Sequence, residues 1–451
     1  MAAASGTINL SEVVGALSYA LDITEGQPVG HSLRCCWIGM HVGMHLGLPA
    51  AELSDLYYTL LLKDIGCSSN AARICKLYLA DDLSFKAGYK SVDSGLPEIL
   101  RFLLAHTGRD SGFVERLQAM IHIARNGGEI SRELIETRCQ RGAEIARSMR
   151  FSETVARGIL DLDEHWDGTG QPVGLVGPQI SLFGRIALMA QVADVFFMRG
   201  GAGGAMAELR ARAGRWFDPD LVDALEAVGG DRQFWAPLLE NDLNMRVVGL
   251  EPRMLVRAVD EGYLDDIAAG FAKVVDAKSP FTAGHSDRVA LFADLIAEEL
   301  GYAPERRRWL KRAALLHDIG KLGVSNAVLD KNGKLDDAEW AAIKRHPELG
   351  RIILSKIAAL RDLATVAGDH HERLDGKGYP HGLRAAAIDL DTRIVTTADI
   401  FDALTADRPY RKAMPVSEAF AIMERDVGTA IDPDCFAALQ RGFTRLEHAA
   451  A

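Results

Sequence analysis

The feature that most constrains this chain is that it repeats itself at the scale of a domain. Gly30-His31-Ser32-Leu33-Arg34 answers to Gly284-His285-Ser286-Asp287-Arg288, and Leu62-Lys63-Asp64-Ile65-Gly66 answers to Leu316-His317-Asp318-Ile319-Gly320. Further on, Asp167-Gly168-Thr169-Gly170-Gln171-Pro172 matches Asp375-Gly376-Lys377-Gly378-Tyr379-Pro380, and Asp218-Pro219-Asp220 matches Asp432-Pro433-Asp434. The order of the blocks is the same, so two copies of one fold are expected, over 1–230 and 262–451. Residues 231–261 form a helical junction, and the first copy carries an insertion between Cys67 and Glu136. Strand signals are sparse. Amphipathic stripes such as Val289, Phe292, Ile296 and Leu300 recur instead, so the fold class is all-α, two tandem helical bundles.

Composition narrows the partners. The chain has 451 residues, 48% hydrophobic and 25% charged, enough for two packed cores. A net charge of -11 without any Lys/Arg block argues against a nucleic-acid polymer or an anionic membrane, which demand a basic surface. A small anionic substrate needs only a few local cations. No stretch offers the roughly 20 apolar residues of a spanning helix, and the N-terminus has no basic segment leading an apolar one, so a cytoplasmic location is expected. The six cysteines form no C-x-x-C pair and read as reduced, structural thiols.

The second copy concentrates residues that bind metals: His285, His317-Asp318, His346, His370-His371 and Asp399. His285 lies one turn before Val289 and shares its inward stripe. His317-Asp318 closes the helical run Trp309 to Leu316, and His346 precedes Pro347, a residue suited to a helix's first turn. His370-His371 ends a helical segment before the glycine-rich turn, while Asp399 and Asp402 share one helix face. A lone inward histidine is usually a core residue with its hydrogen bonds satisfied. Five of them with two aspartates form a set that suits Mn, Fe or Zn, with a bridging aspartate to hold two ions about 3.5–4 Å apart.

His317-Asp318-Ile319-Gly320-Lys321, with His370-His371-Glu372-Arg373-Leu374-Asp375-Gly376-Lys377-Gly378-Tyr379-Pro380, resembles the double signature of the HD-GYP family, a subgroup of the HD superfamily of metal-dependent phosphohydrolases. The match continues through Arg408-Pro409-Tyr410-Arg411 and covers nearly all of 262–445. The resemblance implies a phosphodiesterase that opens cyclic di-GMP to the linear dinucleotide pGpG, and in some members on to GMP. It implies His285, His317, Asp318, His346, His370, His371 and Asp399 as metal ligands, Asp318 bridging. Lys321 takes the place of the lysine on the scissile phosphate, and Gly378, Tyr379, Pro380, Arg408 and Arg411 fall where the family contacts the dinucleotide. Asp402, one turn after Asp399, is expected to orient Lys321 or help protonate the leaving group, or else to be a helix-surface carboxylate or a partner that supports a metal ligand. Members with a third metal carry a glutamate where this chain has Phe281, so two divalent ions are expected, Fe or Mn first, with Zn, Ni or Mg as alternatives. The alternatives to cyclic di-GMP are another cyclic dinucleotide, such as cyclic GMP-AMP, or a receptor that binds without turnover.

The first copy lacks this equipment. His31 and Asp64 remain, but Lys63 stands for the key histidine, Cys67 for Lys321, Leu162-Asp163 for the histidine pair and Gln191 for Asp399. Arg199 to Gly204 reads as a flexible loop with one cation in place of the Arg-Pro-Tyr-Arg segment. His41 and His45, at i, i+4 spacing, lack a third ligand and read as solvated or packing residues. The copy is expected to be a structural, regulatory or dimerising module, compatible with a homodimer or with a signalling protein as partner.

Overall fold

A computed structural model describes residues 9–90, 92, 96–109, 111–252, 259–407 and 411–450. The chain divides into two compact units, Met1–Tyr263 and Leu264–Ala451. Among the described residues no strand forms, only isolated bridges such as Asp375 with Arg384. The all-α expectation holds.

The first unit contains α1 (Leu10–Thr24), α2 (His31–His45), α3 (Ala50–Leu62), α4 (Ala71–Tyr78), α5 (Asp82–Tyr89), α6 (Leu96–His106), α7 (Phe113–Ser148), α8 (Glu153–Leu160), α9 (Leu182–Arg212) and α10 (Pro219–Gly229). Short helices α11 (Arg232–Trp235) and α12 (Leu243–Val248) follow, in the stretch read from sequence as a junction. They pack within this unit: Trp37 donates its indole N–H to the carbonyl of Phe234 at 3.0 Å, and α12 lies against α1 and α2. The Arg199–Gly204 stretch is not a loop. It lies inside α9, which is interrupted by the left-handed Gly201 alone. His41 has a packing role, its Nδ1 on the Trp37 carbonyl at 2.7 Å and its ring against Trp37 and Phe234.

The second unit contains most of α13 (Glu261–Asp276), then α14 (His285–Glu299), α15 (Pro304–Leu316), α16 (Asn326–Leu329), α17 (Asp337–Lys344), α18 (His346–Ser355), α19 (Ala364–Asp369), α20 (Leu390–Thr405), α21 (Val416–Glu424) and α22 (Pro433–Ala450). Helix α14 lies at its centre, packed on α15, α20 and α22, as α2 packs on α3, α9 and α10 in the first.

The duplication is structural down to single hydrogen bonds. Asp22 accepts from the Ser32 backbone and hydroxyl, and Asp276 does the same for Ser286. Glu164 gathers the amides of Val173, Gly174 and Leu175, and Glu372 those of His381, Gly382 and Leu383. Arg185 pairs with Asp218 and Arg393 with Asp432. A side chain buried at 2% exposure that accepts from three backbone N–H groups ties them together, so each Glu fixes its glycine-rich loop. In the second unit that loop begins directly after the paired histidines.

The helix bearing Asp399 and Asp402 is locked by Phe401, fully buried, whose ring lies 4.8 Å from Phe292, 5.1 Å from Phe420 and 5.5 Å from Phe443. The inserted helices of the first unit form a satellite core of Ile74, Tyr78, Phe85, Phe102, Ile123, Ile130 and Leu134.

Candidate metal centre

Four histidines of the second unit have one ring nitrogen already committed. His317 Nδ1 donates to the Ala314 carbonyl at 2.6 Å, His346 Nδ1 to Ile343 at 2.7 Å and His370 Nδ1 to Ala367 at 2.9 Å. In each case the acceptor is the carbonyl three residues back, the free carbonyl of a closing helical turn. His285 Nδ1 donates to the Asp402 carboxylate at 2.6 Å. Carbonyls and carboxylates only accept, so these nitrogens carry the proton and every Nε2 presents a lone pair. Second-sphere bonds of this kind orient metal-binding imidazoles.

The Nε2 atoms converge. Those of His285 and His317 lie 3.3 and 3.4 Å from Asp318 Oδ2, while those of His346 and His370 lie 3.3 and 3.6 Å from Asp318 Oδ1. Asp399 Oδ1 joins the first set, 3.5 Å from His285 and 4.0 Å from His317. His371 joins the second. Two groups of ligand atoms result, His285/His317/Asp399 and Asp318/His346/His370/His371, with one Asp318 oxygen facing each group.

These residues fit a pair of cations. His285 Nε2, His317 Nε2 and Asp318 Oδ1 are buried without a hydrogen-bond partner, a costly state for three polar atoms in one place. His346 Nε2 and His370 Nε2 face each other at 3.3 Å, two lone pairs that repel unless a proton or cation lies between them. Burial pushes His317 down to about 4 and holds His346 below the usual histidine range. Burial also opposes protonation of His285, but the carboxylates of Asp318 and Asp402 outweigh it and raise this ring to about 9. For Asp318 burial opposes ionisation, yet Lys321 and the surrounding rings hold it well below the carboxylate range. His317 and His346 are therefore neutral and Asp318 anionic, the donor states that divalent metals require, while a cation binding at His285 has to displace a proton from that ring.

Lys321 is half-buried with its ammonium on Asp318. Asp402 is fully buried, holding His285 on one side and Arg288 on the other, the arrangement of the second of its two sequence readings, a partner that supports a ligand. Tyr379 lies with its ring 4.7 Å from that of His371. Gly378 is required by space, since a Cβ there would meet the Arg373 nitrogen at 2.4 Å. The Tyr379–Pro380 peptide is cis. Arg411 is turned onto the carbonyls of Ala403, Leu404 and Lys412, and Arg408 lies outside the described residues. Phe281 brings no ligand atom. Sequence reasoning missed Arg288, although its spacing from His285 recurs as Arg34 from His31, and both arginines hold the aspartate behind the histidine.

In the first unit the same positions are neutralised by the chain itself. His31 Nδ1 is held by Asp194 at 2.6 Å, but Lys63 pairs with Asp64 where His317 and Asp318 stand in the second. Lys90, contributed by the insertion, lies 3.4 Å from Asp64, 2.9 Å from Glu25 and 3.4 Å from Gln191. Arg138 pairs with Asp163. Ammonium and guanidinium groups thus occupy the place of metal charge, and the buried Cys67 thiol lies 3.6 Å from Asp64.

Comparison with known proteins agrees with this geometry. The HD domain model matches residues 112–221 and 271–435. A 3′3′-cGAMP-specific phosphodiesterase 3 of Vibrio cholerae is 54% identical over 446 residues, 99% of this chain and 97% of the relative. The Xanthomonas campestris cyclic di-GMP phosphodiesterase response regulator RpfG is 38% identical over 209 residues, 46% of this chain and 55% of its own. The crystal structure of the V. cholerae cyclic GMP-AMP specific phosphodiesterase V-cGAP3 aligns with a TM-score of 0.66 at 49% identity, over 97% of this chain and 98% of that one. With its His-Asp pair, paired histidines and glycine-rich turn, this chain belongs to the HD-domain family, in its HD-GYP group.

Proposed function

We propose that this chain hydrolyses 3′3′-cGAMP to a linear dinucleotide at the second unit's metal centre. That it is a cyclic-dinucleotide phosphodiesterase of the HD superfamily rests on the relative matched over almost its whole length, and the orphaned Nε2 and Oδ1 atoms around Asp318 are the structural observation that carries the reading. Sequence alone put cyclic di-GMP first. The identity of the full-length relative reverses that order, while shorter matches to cyclic di-GMP enzymes keep the latter as second substrate.

His285, His317 and Asp399 would hold one divalent ion, His346, His370 and His371 the other, with Asp318 shared. Bound there, Fe or Mn supplies Lewis acidity and a nucleophilic hydroxide at neutral pH. The chain's own groups do the rest. Lys321 lies beside the shared carboxylate, where an ammonium stabilises charge on a transferring phosphoryl group. The half-buried Tyr379 ring offers a base a stacking surface next to His371. Arg288 and Asp402 keep the His285 ring in one tautomer and orientation. Among the described residues the first unit's ligand groups, His31/Cys35/Asp194 and Glu25/Asp64/Cys67, are already met by Arg34, Lys63 and Lys90, so we assign this unit a structural or regulatory part.

The test is a panel of 3′3′-cGAMP, cyclic di-GMP and cyclic di-AMP offered anaerobically to the full chain with Fe or Mn, alongside a His317→Ala/Asp318→Ala variant. Expected are linear product with 3′3′-cGAMP fastest, and a variant without bound metal or turnover. Faster cleavage of cyclic di-GMP would overturn the substrate, and saturable binding without product under either metal would overturn the enzyme.

A further inference from the structure

Helix α7 uses two opposite faces. Ile123 and Ile130, nine residues beyond Val114 and Ile121 and so half a revolution away, are buried in the satellite core. The other face carries Val114, Leu117, Ile121, Ala124 and Gly128 at alternating spacings of three and four, the period of a coiled-coil seam, and all five are exposed. Phe113 beside them is 80% exposed and Val114 66%. With Leu100 and Leu104 of α6, also exposed, the side chains present roughly 600 Å² of apolar surface, at the top of the range for a monomer's largest patch and approaching one side of a standard interface.

Two glycines point to what covers this face. Gly127 and Gly128 sit mid-helix, where glycine weakens a helix relative to alanine, yet a Cβ at either would meet nothing within 4 Å. Among the described residues nothing packs close enough to explain the missing side chains. Close approach of another helix from outside does. The seam is also self-complementary: its first half is bulky (Val114, Leu117, Ile121) and its second half small (Ala124, Gly127, Gly128). The charges around it are mixed, Glu115 and Arg116 near one end and Arg125 and Glu129 near the other, which suits an identical copy better than a polyanion or a lipid surface.

We propose that the α7 seam is a homodimer interface in which two copies pair antiparallel about a two-fold axis, Leu117 seated over Gly128 of the second copy and Ile121 over its Ala124. The arrangement is independent of the phosphodiesterase reading, and it gives the first copy's insertion a purpose that its lost ligands do not.

The full-length chain, sized by light scattering and sedimentation at about 10 μM, is expected to be a dimer, and Leu117→Glu/Ile121→Glu a monomer with unchanged helical content. Gly128→Leu guards against misfolding, because it favours the helix and fills only open space, and it too should yield monomer. In a mixture of chains carrying Leu117→Cys and chains carrying Gly128→Cys, oxidation should give the mixed disulfide in preference to either homodimer. A monomeric wild type, a dimer that survives Gly128→Leu, or a crosslink only between like positions would overturn the proposal.

Discussion

Gly320 offers the sharpest test of how the second unit is assembled. A Cβ built there would lie 1.9 Å from the His346 carbonyl oxygen and 2.7 Å from the Gly350 nitrogen, so the turn after Asp318 and the start of α18 touch backbone to backbone. An ordinary contact of ~3.3 Å between these atoms requires the start of α18 to retreat by about 1.4 Å in Gly320→Ala. Metal–ligand distances tolerate only about 0.2 Å, so His346 leaves its group while His285 and Asp399 on α14 and α20, and His317 at the end of α15, stay. The variant should fall from two metals per chain to one, and a ~1 Å misplacement at the reacting groups costs about 100-fold in turnover. Elemental analysis of the loaded protein and product release from 3′3′-cGAMP measure both. The chain carries its own control. A Cβ at Gly66 would lie 2.0 Å from the Arg138 carbonyl, the same steric insult in the unit without free ligands. Gly66→Ala should lower stability and leave metal content at the wild-type value. Two metals and full turnover in Gly320→Ala, or equal metal loss in Gly66→Ala, would refute the reasoning.

Asp402→Asn keeps the size of the side chain but removes the charge that holds His285 and Arg288, so metal affinity should weaken about 10–100-fold in a competition titration with a chelator; no change would show the carboxylate to be idle. Phe401→Ala empties the aromatic cluster behind Asp399 and should lower unfolding free energy by about 3–5 kcal/mol in urea, with metal loss following rather than preceding unfolding. Glu25 tests the first unit: burial opposes its ionisation, but Lys90 and Lys86 prevail and depress it from 4.5 to about 2. A depressed carboxyl contributes stability above pH 4.5 that is lost as pH falls toward 2, so Glu25→Gln should be less stable than wild type at pH 6 and converge with it in acid. A constant difference in urea midpoint from pH 6 to pH 3 would contradict that ion pairing.

The duplication, the helical class and the residues that converge around Asp318 were legible because each rests on local order. Blocks such as His317-Asp318 and His370-His371 fall at helix ends, where a ring can turn its Nδ1 onto the carbonyl three residues back. Which of the two readings of Asp402 applies was not legible, because the sequence shows that it shares a face with Asp399 but not what packs opposite it. Its partners, His285 and Arg288, are more than a hundred residues away in the chain.

The sequence by itself determined which copy keeps the full set of histidines and aspartates, since ligand chemistry is a property of residue type, and Lys63, Leu162 and Gln191 cannot replace what they displace. Only the tertiary structure decided how the remaining charges are balanced. It brought Lys90 from the insertion onto Asp64 and Glu25, set one oxygen of Asp318 toward each ligand group, and left the Leu117–Ile121 face of α7 uncovered. Charge compensation and burial depend on distances across the fold, and those exist only once the helices have packed.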